Sequence, residues 1–236
     1  MKTESQPNSI AFYVRLSVLL LLLIGAIWAR YTKYPPVVRA VNMVFGGGTG
    51  VSELAPLTDE QLQNESNAAK SLDGIGIKLQ SSKRTGAIVS VDFDGVPMAD
   101  EMAQYLANLL RLQYANLANS EMNNVQAEVI GPLAELRVLD LSNCPLSDGA
   151  FAKWSQFPYM NNLNVSGTGV TSDGIVRVLE LCPRLETLDI SRCKKLDDRA
   201  VEAILNAKTL KSVSCADGGL SMDQQQRINI EMSNRK

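Results

Sequence analysis

The sequence predicts an α/β solenoid of about six repeated units behind one transmembrane helix. Three observations carry this. Lines that open with apolar residues at positions one, four and six recur down the C-terminal part of the chain. A run without charge, residues 16–29 (LSVLLLLLIGAIWA), stands near the N-terminus. The chain of 236 residues contains no histidine. That removes Ser-His and Cys-His nucleophile pairs, histidine general bases and every His-bearing metal site.

Length and charge narrow the classes further. The chain has room for one ordinary domain and an accessory segment. Its net charge is −2 and its pI about 5.3, so no global basic field favours a nucleic-acid partner. Four cysteines, Cys144, Cys182, Cys193 and Cys215, are too few and too widely spaced for a small disulfide scaffold. No CxxC pair stands in the sequence, which argues against a zinc ribbon. No cofactor and no metal site are expected.

The N-terminal segment reads as a membrane address over residues 1–34. Fourteen helical residues span only about 21 Å, short of a hydrocarbon core of about 30 Å. Extending the helix over residues 10–31 gives about 33 Å and takes in Arg15 and Arg30, which can snorkel to the headgroups. Phe12 and Tyr13 before the run, and Trp28, Tyr31 and Tyr34 at or after its end, suit interfacial belts. A cleaved signal peptide is the alternative, but bulky Ile27 stands where a small residue is wanted before a cut at Ala29. The expectation is an uncleaved anchor. Lys2, Arg15 and the amino terminus nearly balance Arg30, Lys33 and Arg39, so the short N-terminal tail sets the orientation. It is expected inside, with the repeats on the non-cytoplasmic side.

Residues 35–71 form a linker and a polar helix. Pro35 and Pro36 stop any helix. The run GGGTG, residues 46–50, has two readings. It matches the core of the phosphate-binding loop of tubulin-like GTPases, which needs a strand before it and a helix after it. Here Pro56 follows within six residues, and a flexible linker is expected. Thr58-Asp59-Glu60-Gln61 reads as a capping box that opens a helix toward Leu72, polar enough to pack on little. Asn64-Glu65-Ser66 and Asn164-Val165-Ser166 fit the glycosylation acceptor pattern.

Residues 72–236 are the repeat region. Its lines begin at Ile88, Leu109, Leu136, Met160, Leu185 and Leu210, at spacings of 21, 27, 24, 25 and 25 residues. Positions four and six have the period of a strand buried on one face. A period in this range with LxxLxL is the leucine-rich repeat signature. Position nine holds Cys144, Thr168 and Cys193, small groups able to contact the turn backbone. Asp100, Asp148, Asp173, Asp198 and Asp223 fall at position thirteen or fourteen, most of them ahead of an apolar pattern of helical spacing. Such aspartates are expected to be N-caps. Met102, Tyr105, Leu106 and Leu109 step as one helix face, and so do Ile175, Val178, Leu179 and Cys182. Cys144 and Asp148 therefore read as structural, each with counterparts one or two rungs away. Cys144 and Cys193, two rungs apart, stand about 10 Å from each other, beyond disulfide reach. Trp154, with Phe151 and Phe157, is expected in the core.

The stretches LRVLDLSNCPLSDGAF, MNNLNVSGTGVTSDGIVRVL and LETLDISRCKKLDDRAVEAIL resemble the cysteine-containing, ribonuclease-inhibitor-like class of leucine-rich repeat. The resemblance covers roughly residues 72–232 and is weaker in the lines at 88 and 109, where Glu121 stands near the second cap position. The last line, LKSVSC, is more polar, as a terminal repeat facing water should be. The resemblance implies parallel strands on a concave face, helices on a convex one, and protein binding more often than catalysis.

On such a concave sheet, positions three and five point away from the core. The candidate partner-binding residues are Asp92, Arg111, Gln113, Asp140, Asn162, Asn164, Thr187 and Asp189. Arg111, with Arg192 just past its strand, supplies the hot-spot residue type. Asp92, Asp140 and Asp189 lie about 10 Å apart, too far to share one calcium ion. The leading expectation is a membrane-anchored adaptor that holds a partner protein on the concave face. The alternative is a structural subunit of a membrane complex, bound mainly through the anchor and residues 34–45. An enzyme has no clustered nucleophile and base to support it.

Overall fold

A computed structural model describes residues 56–235. The expected anchor, the glycine run and the prolines at 35 and 36 lie outside the described residues. No described helix is long and apolar enough to cross a membrane.

Seven strands form one sheet in chain order: β1 (Lys78–Ser81), β2 (Ile88–Asp92), β3 (Tyr114–Asn116), β4 (Val138–Asp140), β5 (Asn162–Asn164), β6 (Thr187–Asp189) and β7 (Ser212–Ser214). β1 pairs antiparallel with β2, and every later pairing is parallel. The six parallel strands are six rungs. Equivalent residues Ser90, Tyr114, Val138, Asn162, Thr187 and Ser212 stand opposite one another, at spacings of 24, 24, 24, 25 and 25.

That register corrects the second line of the sequence reading. Its strand is Tyr114–Asn116, so position one is Leu112 and not Leu109. Leu109, Leu112 and Tyr114 imitate the apolar spacing, whereas the true line carries small Ala115 at position four and Leu117 at position six. Ala115 and Leu117 are both buried. Arg111 and Gln113 thereby leave the strand columns, and Tyr114 and Asn116 replace them.

Each strand buries its position-four side chain: Val91, Ala115, Leu139, Leu163, Leu188 and Val213. Position six adds Phe93, Leu117, Leu141, Val165, Ile190 and Cys215. Burial of each large side chain contributes about 1.5–3 kcal/mol relative to exposure, and stacking makes the rungs mutually dependent.

The opposite side is less regular than expected. α2 (Asp100–Ala107), α3 (Ser172–Leu181) and α4 (Asp198–Asn206) are α-helices, but the second and third rungs return through 3-10 turns, Gln126–Ile130 and Asp148–Phe151. Aromatic packing fills that part of the stack. Trp154 meets Phe151 and Phe157 edge-on, with centroids 4.8 and 5.2 Å away. Its indole N–H donates to the Ala127 carbonyl at 2.9 Å.

Both ends are closed. α1 (Asp59–Gly74) opens with the expected capping box between Thr58 and Gln61. It packs more than its polarity suggested: Ala68 and Leu72 are buried, and Glu65 Oε1 accepts the Ile88 N–H at 2.6 Å. At the other end α5 (Met222–Asn234) opens with a capping box between Ser221 and Gln224 and buries Ile228 and Met232. Arg235 then donates to the carbonyls of Leu205, Ala207 and Leu210 at 2.6, 2.7 and 3.1 Å. These bonds satisfy carbonyls at the end of α4 and in the turn after it.

Candidate partner-binding face

The site is assembled column by column, because each rung places one residue of each kind in line. Position five holds Asp92, Asn116, Asp140, Asn164, Asp189 and Ser214. These side chains first serve their own turns. Asp92, Asn116, Asp140, Asn164 and Asp189 each accept, through Oδ1, the N–H two residues on, at 3.2, 3.2, 2.8, 2.9 and 2.8 Å. Fixing Oδ1 aims each asparagine amide at the rung before it. Asn116 Nδ2 donates to Asp92 at 2.9 Å, and Asn164 Nδ2 donates to Asp140 at 3.0 Å. The Asp–Asn alternation thus ties the first rung to the second and the third to the fourth. Asp140 is buried, and desolvation pushes its carboxyl above the ordinary range, against the lowering hydrogen bonds from Ser142 and Asn164.

Position three behaves differently. Among the described residues, Ser90, Asn162, Thr187 and Ser212 place on the open face side chains that no hydrogen bond engages. Asn162 and Thr187, both on the candidate roster, are half-buried. Arg111 is not among them. It is an ion pair with Glu135, its side chain only 14% exposed, and Gln113 Nε2 donates to the same Glu135 at 3.4 Å. Arg111 and Gln113 therefore brace the start of the second and third rungs instead of facing outward as position-three and position-five residues.

Position nine answers what the cysteines do. Ser120 and Cys144 both donate to the Leu117 carbonyl, at 2.7 and 3.1 Å. Thr168 and Cys193 both donate to the Val165 carbonyl, at 2.7 and 3.2 Å. A hydroxyl and the next rung's thiol share one acceptor, which stitches rungs in pairs. All four cysteines are free thiols and buried. Burial raises the Cys182 thiol to about 12, and raises Cys193 and Cys215.

The aspartates expected as N-caps stand one or two residues past the cap. The caps are Ala99, Thr171, Asp197 and Ser221, while Asp100, Asp173, Asp198 and Asp223 occupy first turns, favourable to the helix dipole. Hydrogen bonds from Ser172 and Arg199 hold the exposed Asp197 carboxyl down at about 2. Asp148 caps the next rung rather than its own. It accepts the Thr171 N–H at 2.8 Å and the Thr171 hydroxyl at 2.6 Å.

One column escaped the sequence reading. Position eight is Gly95, Asn119, Asn143, Gly167, Arg192 and Asp217, and every one has φ between +54° and +71°. The left-handed turn points each of the first five N–H groups at the next rung: Asn119, Asn143 and Gly167 reach Ser142, Ser166 and Ser191 at 2.9, 2.8 and 2.8 Å. The signal was present, since Gly, Asn and Asp are the residues that tolerate this conformation.

One family match agrees with the repeat geometry. A family model described as "Leucine Rich repeat" matches residues 182–205, which hold β6 and most of α4. Parallel rungs of this period define a leucine-rich repeat protein. No curated protein matches. Among solved structures, "Leiomodin-1 Actin-Binding Site 2 (ABS2)" aligns at 11% identity and TM-score 0.41, covering 77% of this chain and 91% of that one. The tropomodulin C-terminal domain from Caenorhabditis elegans aligns at 15% identity and TM-score 0.41, covering 75% of this chain and 93% of that one.

Proposed function

We propose that the chain is a membrane-anchored adaptor whose leucine-rich repeats, of the cysteine-containing class, hold a partner protein against the open face of the sheet. The observation that carries this is the contrast between columns. Five of the six position-five side chains are held by their own turns, whereas Asn162, Thr187 and Ser212 at position three carry polar groups not engaged by described residues. Polar groups on a rigid strand are suited to binding, because they need little ordering when a partner arrives. The paired thiol and hydroxyl bonds of position nine support the class. Residues 1–34 serve as the anchor, which raises local concentration, with the repeats on the non-cytoplasmic side.

Photocrosslinking in intact cells from residues 162, 187 and 212, one at a time, tests the reading. A defined protein adduct from at least two of these positions is expected. Adducts confined to probes within residues 1–45 sink it and favour a subunit held through its anchor. Protease treatment of sealed vesicles reports the side of the membrane.

A further inference from the structure

Five cations on this solenoid each face a carboxylate on the neighbouring rung: Arg111 with Glu135, Lys153 with Glu128 at 2.7 Å, Arg199 with Asp173 at 2.7 Å, Lys211 with Glu186 at 2.8 Å, and Arg227 with Glu202 at 2.8 Å. Another arrangement holds two arginines against a ring. Just before β5, the residue ahead of position one is Tyr159, and it stands between two arginines. Arg137 Cζ lies 5.6 Å from the ring centroid and Arg184 Cζ lies 5.9 Å from it. Among the described residues neither guanidinium has a carboxylate within salt-bridge distance. Arg184 is exposed, and Tyr159 and Arg137 are half-buried.

The geometry points to Arg137, Tyr159 and Arg184 as a docking locus for an acidic segment of a protein partner. This deepens the adaptor reading and rests on it. A guanidinium with a ring on its face keeps its N–H edges for a carboxylate, which it binds in a two-pronged fashion. The ring restrains the cations, so less freedom is lost on binding than for free surface lysines. Arginine and tyrosine are also the residue types that dominate interface energetics. The locus lies where the strands begin, beside position-three Asn162 and Thr187, so a partner seated on the open face extends onto it. Two guanidiniums beside one ring suit a short acidic segment and fall short of the run of phosphate contacts that nucleic-acid affinity rests on.

The test is fluorescence anisotropy of the full chain in detergent with a labelled octaglutamate peptide, competed by unlabelled octaglutamine and by an oligothymidylate of equal charge. Binding that weakens with salt, ignores octaglutamine, and falls at least tenfold in the Arg137→Gln/Arg184→Gln double variant is expected. Tyr159→Phe keeps the ring and should stay within about threefold of the parent, whereas Tyr159→Leu should fall with the arginine variant. Circular dichroism and the urea midpoint identify variants that fail to fold. Unchanged peptide affinity in a folded double variant overturns the inference, and so does oligothymidylate competing better than unlabelled octaglutamate. The adaptor reading fails separately: peptide binding that tracks the arginines, combined with no crosslinks from residues 162, 187 and 212, leaves the locus standing and removes the sheet face.

Discussion

Arg192 Nη2 donates to Asn143 Oδ1 at 2.9 Å, a bond that skips a whole rung. The residue between them in column eight is Gly167, and its missing side chain is the reason the two can meet. A Cβ on Gly167 would stand 2.5 Å from Asn143 Oδ1 and 3.6 Å from Arg192 Nε. The column continues with Asn143 Nδ2 donating to Asn119 at 2.9 Å and Asn119 Nδ2 donating to Asp94 at 2.7 Å. Glycine at one rung thus lets an arginine join an asparagine ladder from which its length would otherwise exclude it.

Gly167→Ala combines that clash with a φ of +71°, unfavourable for any side chain. It should destabilise the protein by about 1–3 kcal/mol, seen as a lower urea midpoint with an unchanged slope. Arg192→Gly loses an exposed bond but relieves a φ of +61°, so its midpoint should stay close to the parent's. A larger loss for Arg192→Gly than for Gly167→Ala would show that the bridge outweighs the backbone.

What could be read from sequence divides along physical lines. Rungs three to six were legible because Leu136, Leu139 and Leu141 and their counterparts leave one placement that buries every leucine. The second rung was misplaced because Ala115 at position four carries too little apolar weight to compete with Leu109. Asp148 and the other aspartates were expected to cap their own helices; sequence spacing does not say which rung a side chain crosses to. The roles of Arg111 and Gln113 followed from the same slip of three residues. Column eight was visible as Gly and Asn, but Arg192 hid its conformation.

The Asp–Asn alternation at position five makes a charge prediction. Asn164→Asp replaces the amide that donates to Asp140 at 3.0 Å with a second carboxylate. Asp140 is already raised by burial, and a like charge beside it raises it further. A raised carboxyl favours the folded state most when protonated, so its contribution is present below the unfolded carboxyl range and is lost as pH rises through the folded value. Asn164→Asp should cost about 2–3 kcal/mol at pH 7 and markedly less at about pH 4. Urea midpoints at the two pH values check this; an equal deficit at both removes the like-charge explanation.

Buried thiols make the corresponding alkaline prediction. Cys182 is raised from 9.0 to about 12 by burial, so the folded state holds its proton more tightly than the unfolded chain does. Stability is therefore fully present below pH 9.0 and declines as pH rises toward about 12. Thermal midpoints measured across that window should fall, and Cys182→Ala should flatten the decline while lowering the midpoint at neutral pH by the cavity it leaves. A parallel pair of curves would mean that Cys182 does not titrate there.

Asp148 and Gly174 provide the sharpest test of cross-rung capping. Asp148 reaches from the third rung to the start of α3, where it holds Thr171 through two bonds of 2.8 and 2.6 Å. A Cβ on Gly174 would run into Asp148 Oδ1 and would stand 2.8 Å from Val170 Cγ1. Asp148→Ala orphans the Thr171 N–H and should cost about 1–3 kcal/mol. Gly174→Ala should also destabilise, although alanine is favoured over glycine inside a helix by about 1 kcal/mol. In the Asp148→Ala background the carboxylate clash is gone and the helix preference remains, so the second substitution should cost less than it does alone. The double-mutant cycle should then show a coupling of at least about 1 kcal/mol. Additive losses would place the two residues out of contact and return Asp148 to its own turn.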